Sequence, residues 1–274
     1  MPQAQPTVRD GFEKGVAPYW VRFAVGTGQI EWEPGVLRLG LAEAEATALL
    51  SDAQIDDYHE RDRRALPWRP PLRMTVRARF SHPVDALHGT AGFGFWNNPL
   101  VASGAAVAPN AIWFFFASPP SDMALVPGVP GWGWKAASLN GGNISPLAIA
   151  IGNLLLRIPG VERLLLRAAS GYVRAAERLL ALDATAWHAY TLFWDRRLAT
   201  WSVDGVEVLR TANPPTIPLG FVAWMDNQWA VMRPQGDIGF GLVGLPQRQW
   251  LELSLVEISA PYPASPPSNG GEAG

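Results

Sequence analysis

The feature that most constrains the fold is a strict two-residue alternation between Leu72 and Phe80. Apolar side chains fill every even position of this segment, and arginine or threonine fills every odd one. Because successive side chains of a strand point to opposite faces of a sheet, the pattern predicts a strand with one buried and one wet face. A similar alternation at 188–194 places Tyr190 and Trp194 on one strand face.

Two other segments, 91–96 and 111–117, are apolar at almost every position. Continuous apolarity predicts central strands that are covered on both faces, as in two packed layers. Asp204-Gly205 is a two-residue hairpin signal between two further strands. The chain is therefore predicted to be an all-β sandwich, with additional strands at 36–39, 198–203, 206–209, 219–225 and 250–258.

Length and composition are consistent with one large β domain. The chain has 274 residues, of which 48% are hydrophobic and only 17% charged, below the ~25% charged residues of ordinary soluble domains. All-β sandwiches often exceed 200 residues as one unit. We predict a single domain over 10–260, with flexible tails at 1–9 and 261–274.

Residues 144–183 differ from the rest of the chain. Residues 144–156 are apolar and leucine-rich, Pro159-Gly160 interrupts the segment, and the apolar residues of 161–183 follow helical spacing. The pattern predicts a helical hairpin inserted in the sandwich. Its first arm is shorter than the ~20 apolar residues needed to cross a bilayer, so no transmembrane segment is expected. The surface 144–182 could instead join two copies in a homodimer.

Several functional classes are disfavoured by composition. The net charge is −2 without a basic run, which argues against a nucleic-acid partner. Cysteine is absent, so disulfide and thiolate chemistry are excluded. This favours the cytoplasm, with a secreted protein that has lost its signal peptide as the alternative. The four histidines lack metal-ligand spacing and no phosphate-binding glycine loop occurs, so neither metal nor cofactor is predicted.

The segment 187–195, Trp-His-Ala-Tyr-Thr-Leu-Phe-Trp-Asp, is followed by Trp-Ser-Val-Asp-Gly at 201–205. These two motifs resemble the concanavalin A-like lectin/glucanase superfamily, in particular its laminarinase and lichenase type of glycoside hydrolase. The segment 250–258 is similar to the family's closing strand, and 92–96 lies where the family has a tryptophan-rich strand. The resemblance implies a jelly roll of two antiparallel sheets, one of them concave and able to hold an extended ligand.

The resemblance stops at the catalytic motif of that family. Those hydrolases carry Glu-x-Asp-x-(x)-Glu on one concave strand, which places nucleophile and acid/base on the same face. The corresponding strand here, 112–117, reads Ile-Trp-Phe-Phe-Phe-Ala, and Glu-x-Asp-x-x-Glu occurs nowhere in the chain. The family's usual hydrolytic dyad is therefore not predicted.

Two tryptophan-flanked segments are candidate ligand sites. In the first, Trp224 and Asp226 share a strand face and are followed by Asn227 and Trp229. These residues could hold sugar hydroxyls while the rings stack, or they could form a strand-end turn with packing tryptophans. In the second, Trp96, Asn97 and Asn98 precede Pro99, which suits either ligand contact or a turn.

Two further candidates contain ionisable groups. Trp132, Trp134 and Lys135 could form the lip of a cleft with a lysine base or nucleophile, or a surface loop with an extended lysine. Asp56 and Asp57 begin the densest acidic cluster of the chain, which could supply paired carboxylates or calcium ligands, or form a solvated loop. That cluster also includes His59, Glu60 and Asp62.

Three functions are compatible with these residues. The first is glycan recognition or processing in a tryptophan-lined groove, with any acid catalysis drawn from Asp226 with Asp56 or Asp57. The second is a lidded pocket for a hydrophobic small molecule, with Asn97, Lys135, Asp226 and Asn227 as its polar groups. The third is an interaction role for the 144–182 hairpin. The expected ligand is an oligosaccharide or another small molecule.

Overall fold

The computed structural model describes residues 7–44, 49–59, 61, 65–98, 108–142, 174–232 and 238–260. These residues form two large antiparallel sheets and a separate two-stranded hairpin. The strands in chain order are β1 (Val8–Asp10), β2 (Val21–Val25), β3 (Gly28–Glu33), β4 (Val36–Leu41), β5 (Asp52–Asp56), β6 (Leu72–Phe80), β7 (Thr90–Trp96), β8 (Asn110–Ala117), β9 (Gly133–Asn140), β10 (Arg174–Leu179), β11 (His188–Trp194), β12 (Ala199–Val203), β13 (Val206–Thr211), β14 (Gly220–Asp226), β15 (Gln228–Met232), β16 (Ile238–Leu242) and β17 (Gln249–Ser259). A short 3-10 turn covers Val84–Ala86.

The eight-stranded sheet has the order β13-β12-β11-β6-β17-β4-β3, with β1 paired to the far part of β17. The alternation in β6 is confirmed, because its even-numbered side chains are buried and its arginines point outward. On that outer surface the guanidinium groups of Arg77 and Arg79 each lie 4.8 Å from the ring centre of Trp187. Such cation–π contacts cover the tryptophan without burying it in the core.

The seven-stranded sheet has the order β10-β9-β8-β7-β14-β5-β2. Its inner face packs on the other sheet through aromatic side chains. Phe93 lies 5.2 Å from Tyr190 and 5.7 Å from Trp134 between ring centres, and Phe95 lies 5.6 Å from Trp194. These contacts confirm the two-layer sandwich and show that Tyr190 and Trp194, on one face of β11, point into the core.

The predicted central strands β7 and β8 are confirmed. Their inner face carries Phe93, Phe95 and Phe114, which belong to the main core. Their outer face carries a second cluster of buried apolar residues, which includes Phe115. Both faces of these strands are therefore covered, and this explains why their sequences show no polar alternation.

The helical hairpin predicted at 144–183 is wrong in its last part. Arg174–Leu179 is strand β10, paired antiparallel with β9 at the end of the seven-stranded sheet. The extended backbone is favoured because it supplies a ladder of hydrogen bonds to β9 and places Glu177 on the outer face of the sheet beside Lys135. Residues 143–173 lie outside the described residues. In the described part of the chain, no helix has the length and apolarity required to span a membrane.

The aromatic core can be tested with Phe93→Ala, because the Phe93 side chain is fully buried. We expect the free energy of unfolding to fall by about 3–5 kcal/mol, the usual cost of replacing a core phenylalanine with alanine. Phe240→Ala is the control, since Phe240 is 56% exposed and the expected loss is under ~0.5 kcal/mol. If chemical denaturation gave the same loss of unfolding free energy for both variants, the core position of Phe93 would be contradicted.

Candidate functional site

The outer face of the seven-stranded sheet is built from every second residue of its strands. Directly opposed residues share a face, so the register of β5, β14, β7, β8 and β9 arranges the outward side chains in rows, three of which cross all five strands. In that strand order, these three rows are Gln54, Trp224, Gly92, Phe115 and Lys135; Asp56, Val222, Gly94, Trp113 and Ala137; and Asp52, Asp226, Thr90, Ala117 and Gly133. Trp96 lies in a further row, between Gly220 and Ala111.

Four aromatic rings on this face form a continuous cluster, here named the aromatic platform: Trp96, Trp113, Phe115 and Trp224. The ring centre of Trp113 lies 6.0 Å from Trp96, 5.4 Å from Phe115 and 5.4 Å from Trp224. Trp113 and Phe115 are nearly parallel, with planes 19° apart. Trp96 and Trp113 are half-buried, whereas Phe115 and Trp224 are buried. The accessible part of the platform is therefore its Trp96–Trp113 side.

Two glycines of β7 allow the platform rings to lie directly on the sheet. A Cβ atom at Gly92 would stand 3.0 Å from Cη2 of Trp224 and 2.3 Å from the Phe114 carbonyl oxygen. At Gly94 it would stand 2.5 Å from the Cα atom of Trp113. Side chains at these two positions would push the rings away from the backbone. In the sequence Gly-Phe-Gly-Phe-Trp, the glycines therefore leave room for the platform on the outer face, and the phenylalanines pack in the core on the inner face.

Asp226 and Asp52 are cross-strand neighbours at one end of this face. Asp226 is 6% exposed and accepts three hydrogen bonds: from Thr90 Oγ1 (2.8 Å), from the Gln228 amide N–H (2.9 Å) and from Gln228 Nε2 (3.0 Å). Asp52 is 8% exposed, and its Oδ1 atom has no hydrogen-bond partner in the described part of the chain. The two carboxyl groups therefore share one location but have different polar surroundings.

The surroundings raise the pKa values of both carboxyl groups by different amounts. Burial, followed by the nearby charges of Asp226 and Asp56, raises the pKa of Asp52 to about 8. Burial also raises the pKa of Asp226, but its hydrogen bonds from Gln228 and Thr90 limit the rise to about 6. Burial therefore favours the protonated form of both carboxyl groups, and the hydrogen bonds from Gln228 and Thr90 oppose this effect at Asp226.

Thr90 connects the platform to the carboxyl pair. Its hydroxyl oxygen accepts a 3.0 Å hydrogen bond from Nε1 of Trp224 while its proton is donated to Asp226. The first hydrogen bond satisfies the Nε1–H group of the buried Trp224 ring and fixes that ring beside Asp226. Thr90 therefore connects the buried, Trp224 side of the platform to the carboxyl pair.

The acidic cluster beginning at Asp56 and Asp57 is not a solvated loop, which corrects that alternative. The carboxylate of Asp56 accepts hydrogen bonds from the amides of Tyr58 (3.0 Å) and His59 (2.7 Å) and from Gln54 Nε2 (2.7 Å). These bonds close the turn after β5. Glu60 and Asp62, the other acids of the cluster, lie outside the described residues.

Asp57 joins this turn to strand β14. Its carboxylate accepts hydrogen bonds from the Phe221 amide at 2.9 Å and from Nε1 of Trp68. Burial raises the pKa of Asp57 to about 7. Asp56 and Asp57 thus hold backbone and core groups, and among the described residues it is Asp52 that stands directly opposite Asp226.

Two of the three asparagine candidates, Asn227 and Asn97, hold backbone segments together. Asn227 accepts a hydrogen bond from the Ser51 amide (2.9 Å) and donates to the carbonyl groups of Leu49 (3.1 Å) and Val243 (3.2 Å). Asn97 donates to a carbonyl at 2.8 Å and accepts from the Asn110 amide at 3.0 Å. Asn98 has a φ of 43°, as in a turn. These contacts match the turn alternative for both segments.

The predicted tryptophans fall in four different places. Trp96 and Trp224 belong to the platform, while Trp229 lies over Gly241 within the β15–β16 hairpin. Trp134 is 0% exposed between the two sheets. Its core position corrects the prediction that it contacts a ligand, because alternation along β9 turns it away from the outer face. Trp132, just before β9, is 47% exposed.

Lys135 lies inside the protein, which corrects the surface-loop alternative. Its Nζ atom lies 3.0 Å from Oε2 of Glu177, and both side chains are 1% exposed. The other carboxylate oxygen of Glu177 accepts hydrogen bonds from the amides of Leu125 (2.8 Å) and Val126 (2.9 Å). The ion pair thereby fixes the loop whose Met123 packs against the platform cluster. Lys135 is engaged as a structural cation.

One cavity lies away from the platform, where β8 ends and β9 begins. It has a volume of about 460 Å³, and Trp132 and Asp183 stand among its lining residues. None of the four polar groups expected in a lidded apolar pocket lines it. Within the described ranges, no group of three or more histidine, aspartate or glutamate side chains could hold a metal ion.

Four residues of the site were missed by sequence reasoning: Asp52, Thr90, Trp113 and Phe115. The alternation Asp52-Ala-Gln54-Ile-Asp56 was a usable signal for a strand with an acidic face. Trp113 and Phe115 were hidden in an unbroken apolar run, which does not reveal which side chains point outward. Thr90 carries no local signal, because its role depends on the neighbouring strand.

Sequence comparison alone does not place the chain in a family: no family model matches it, and no curated protein matches it. Solved structures do match. A prokaryotic β-1,3-1,4-glucanase (lichenase) from a mouse hindgut metagenome aligns with a TM-score of 0.51 and 12% identity, over 93% of this chain and 99% of that one. The fold is a concanavalin A-like jelly roll.

Two further matches support this fold. The Crh5 transglycosylase in complex with NAG has a TM-score of 0.52 and 13% identity, over 95% of this chain and 86% of that one. A Bacteroides ovatus GH16 protein in complex with a G4G4G3G product has a TM-score of 0.51 and 11% identity, over 92% of this chain and 99% of that one. At these identities the likeness is one of fold.

The raised pKa of Asp52 predicts a pH-dependent stability. A buried carboxyl that keeps its proton in the folded state loses stability as pH rises from about 4 to about 8. We expect Asp52→Asn to raise the melting temperature at pH 8.5 by about 3–8 °C, corresponding to roughly 1–3 kcal/mol, and to change it little at pH 4. Calorimetry of Asp85→Asn, an exposed loop position, is the control. If the melting temperatures of the parent and of Asp52→Asn changed with pH in the same way, the raised pKa of Asp52 would be refuted.

The buried ion pair gives a second prediction. Lys135→Met leaves the Glu177 carboxylate buried without its cation, and should lower the free energy of unfolding by about 3–5 kcal/mol. Arg210→Met removes one partner of an exposed pair with Glu207, and should cost no more than ~1 kcal/mol. Urea denaturation measures both variants, and a loss at Lys135 no larger than that at Arg210 would contradict the structural role.

Proposed function

We propose that the chain binds an oligosaccharide on the outer face of the seven-stranded sheet, across the aromatic platform. The observation that carries this proposal is the contiguous contact of Trp96, Trp113 and Trp224, with ring centres 6.0 and 5.4 Å apart along the series. Sugar rings have flat C–H faces and hydroxyl edges. A row of aromatic faces bordered by polar groups suits both features.

The different burial of the rings suggests a division of roles. Trp96 and Trp113 retain accessible surface, so they would contact the sugar rings directly. Trp224 is held by its hydrogen bond to Thr90 and is buried, so it would support the plane of Trp113. Rings that are fixed before binding lose little conformational entropy when the ligand arrives, which favours affinity.

Polar groups border the platform at the β14 end. Asp226 is bonded to Gln228, whose residue is exposed, and Gln54 donates a 2.7 Å hydrogen bond to Asp56 in the next row. Such groups can exchange hydrogen bonds with sugar hydroxyls at the edge of the stacked rings. The proposed site thus combines an apolar surface with a few placed polar atoms, as small-molecule sites usually do.

The similar structures agree with this proposal. They include a lichenase, a transglycosylase holding NAG and a protein holding a glucan product. The outward residues of β8 are Trp113, Phe115 and Ala117, none of which carries a carboxylate. The proposal is therefore saccharide binding on this face, through aromatic residues. The 144–182 interface stays a prediction.

Alanine substitutions of the accessible rings test the site. We expect Trp96→Ala and Trp113→Ala each to weaken binding at least about tenfold, because truncating an aromatic anchor costs more than ~1–2 kcal/mol. Calorimetric titration with β-glucan and β-galactan oligosaccharides measures the affinity. Trp32→Ala is the matched control, since Trp32 is 42% exposed on β3 of the other sheet. Failure of every saccharide to bind, or equal affinities in all variants, would refute the proposal.

A further inference from the structure

We propose that the cavity where β8 ends and β9 begins is a second ligand site, which binds an organic ammonium ion with a short apolar chain. This inference goes beyond the proposed saccharide binding and does not depend on it. It rests on an apolar floor, an uncovered tryptophan at the mouth, and acidic side chains in a lining that contains no basic one.

The floor of the cavity is part of the main core. The cavity volume of about 460 Å³ falls within the ~300–1,000 Å³ range of small-molecule sites. Leu87, Phe116 and Ala184 line it, are buried, and belong to the main hydrophobic cluster. Because protein interiors are close-packed, open space beside core side chains costs stability. An apolar chain in this space gains contact with those side chains.

Backbone hydrogen bonds hold the mouth of the cavity in shape. On one side, the 3-10 turn Val84–Ala86 is closed by the Ala86 amide, which donates to the Pro83 carbonyl at 2.9 Å. On the other side, the Ala184 carbonyl accepts a 2.7 Å hydrogen bond from the Phe80 amide. The mouth is therefore formed before a ligand arrives, which limits the conformational entropy lost on binding.

Trp132 presents an open aromatic face at the mouth. Gly133 has a φ of 97°, a conformation that favours glycine, and it separates the exposed Trp132 from the core residue Trp134. In the described part of the chain, arginines stack on Trp187 and Trp250, whereas no cation stacks on Trp132. Indole is the best aromatic partner of a cation, so this ring can receive an ammonium group.

The charge at the mouth is negative. Asp85 and Asp183 line the cavity, and its described lining includes no lysine, arginine or histidine. Hydrogen bonds from the hydroxyl (2.6 Å) and the amide (3.0 Å) of Thr185 lower the pKa of the Asp183 carboxyl. His188 contacts the Asp183 carbonyl oxygen through Nε2, and its Nδ1 is paired with Asp204 at 2.6 Å. The mouth therefore favours a cation over an anion.

These features together specify the class of ligand. The apolar chain lies against Phe116 and Leu87, and the ammonium group lies at the mouth, beside the indole face and the carboxylates. A neutral sugar has neither a permanent charge nor an apolar chain. The ligand of the cavity is therefore chemically different from the one proposed for the aromatic platform.

Three probes with the same hexyl chain test this class: hexylammonium, hexan-1-ol and hexanoate. Calorimetric titration of the full chain at pH 7 should show hexylammonium binding at least about fivefold tighter than hexan-1-ol, the effect of one cation–π contact and exposed ion pairs. Hexanoate should not bind, because the carboxylates repel it. Added salt should weaken the binding of hexylammonium and leave that of hexan-1-ol unchanged.

Substitutions at the mouth test the location. Trp132→Leu should weaken hexylammonium binding about three- to tenfold, and Asp85→Asn and Asp183→Asn about two- to fivefold each. Asparagine at 183 keeps a side-chain oxygen for the hydrogen bonds from Thr185, so the local fold is retained. Trp32→Leu is the matched control and should bind like the parent. Trp32 is 42% exposed, against 47% for Trp132, and does not line the cavity.

Each contrary result removes a different part of the proposal. Hexan-1-ol or hexanoate binding as tightly as hexylammonium would overturn the class of ligand. Unchanged affinity in Trp132→Leu, or an equal loss in Trp32→Leu, would overturn the location. If none of the three probes bound, the cavity would not be a ligand site, and saccharide binding on the platform would be unaffected by that result.

Discussion

The packing of aromatic residues between the two sheets is the constraint on which the rest of the structure depends. Phe93 meets Tyr190 and Trp134 there, and Phe95 meets Trp194. Because successive side chains of a strand alternate between faces, a slip of one residue in β7 would turn all its inward side chains outward and all its outward side chains inward. The core contacts therefore also determine that glycines and Thr90 face outward, where they receive the platform rings and the carboxylate of Asp226.

The outer face contains two buried charged pairs with opposite electrostatic character. Lys135 and Glu177 neutralise each other, and Glu177 also binds two backbone amides of the 125–126 segment. Asp52 and Asp226 are two acids that are directly opposed in the register. The first arrangement holds a loop in place and the second raises two pKa values. A destabilising pair that is nevertheless firmly positioned is typical of functional sites.

The seven-stranded sheet carries its aromatic and its acidic outward side chains on different strands. In this chain the outward positions of β8 carry aromatic and small residues, while acids occupy outward positions on β5 and β14. The seven-stranded sheet offers equivalent outward positions on every strand, so a ligand surface and a carboxyl pair can lie in different rows. Fold alone therefore says little about which strand carries the chemistry.

The sequence by itself determined the β class, the turn at Asp204-Gly205 and most strand positions, because alternation and turn chemistry are local properties. It also singled out Asp226, Trp96 and Trp224. It misassigned Arg174–Leu179 as helix, since apolar spacing there is ambiguous and the ladder to β9 decides the conformation. Only the tertiary structure placed Asp52 opposite Asp226 and joined Trp113 to Trp224. These partners are far apart in the chain, and the pairing of β14 with β5 and β7 brings them together, which no local pattern encodes.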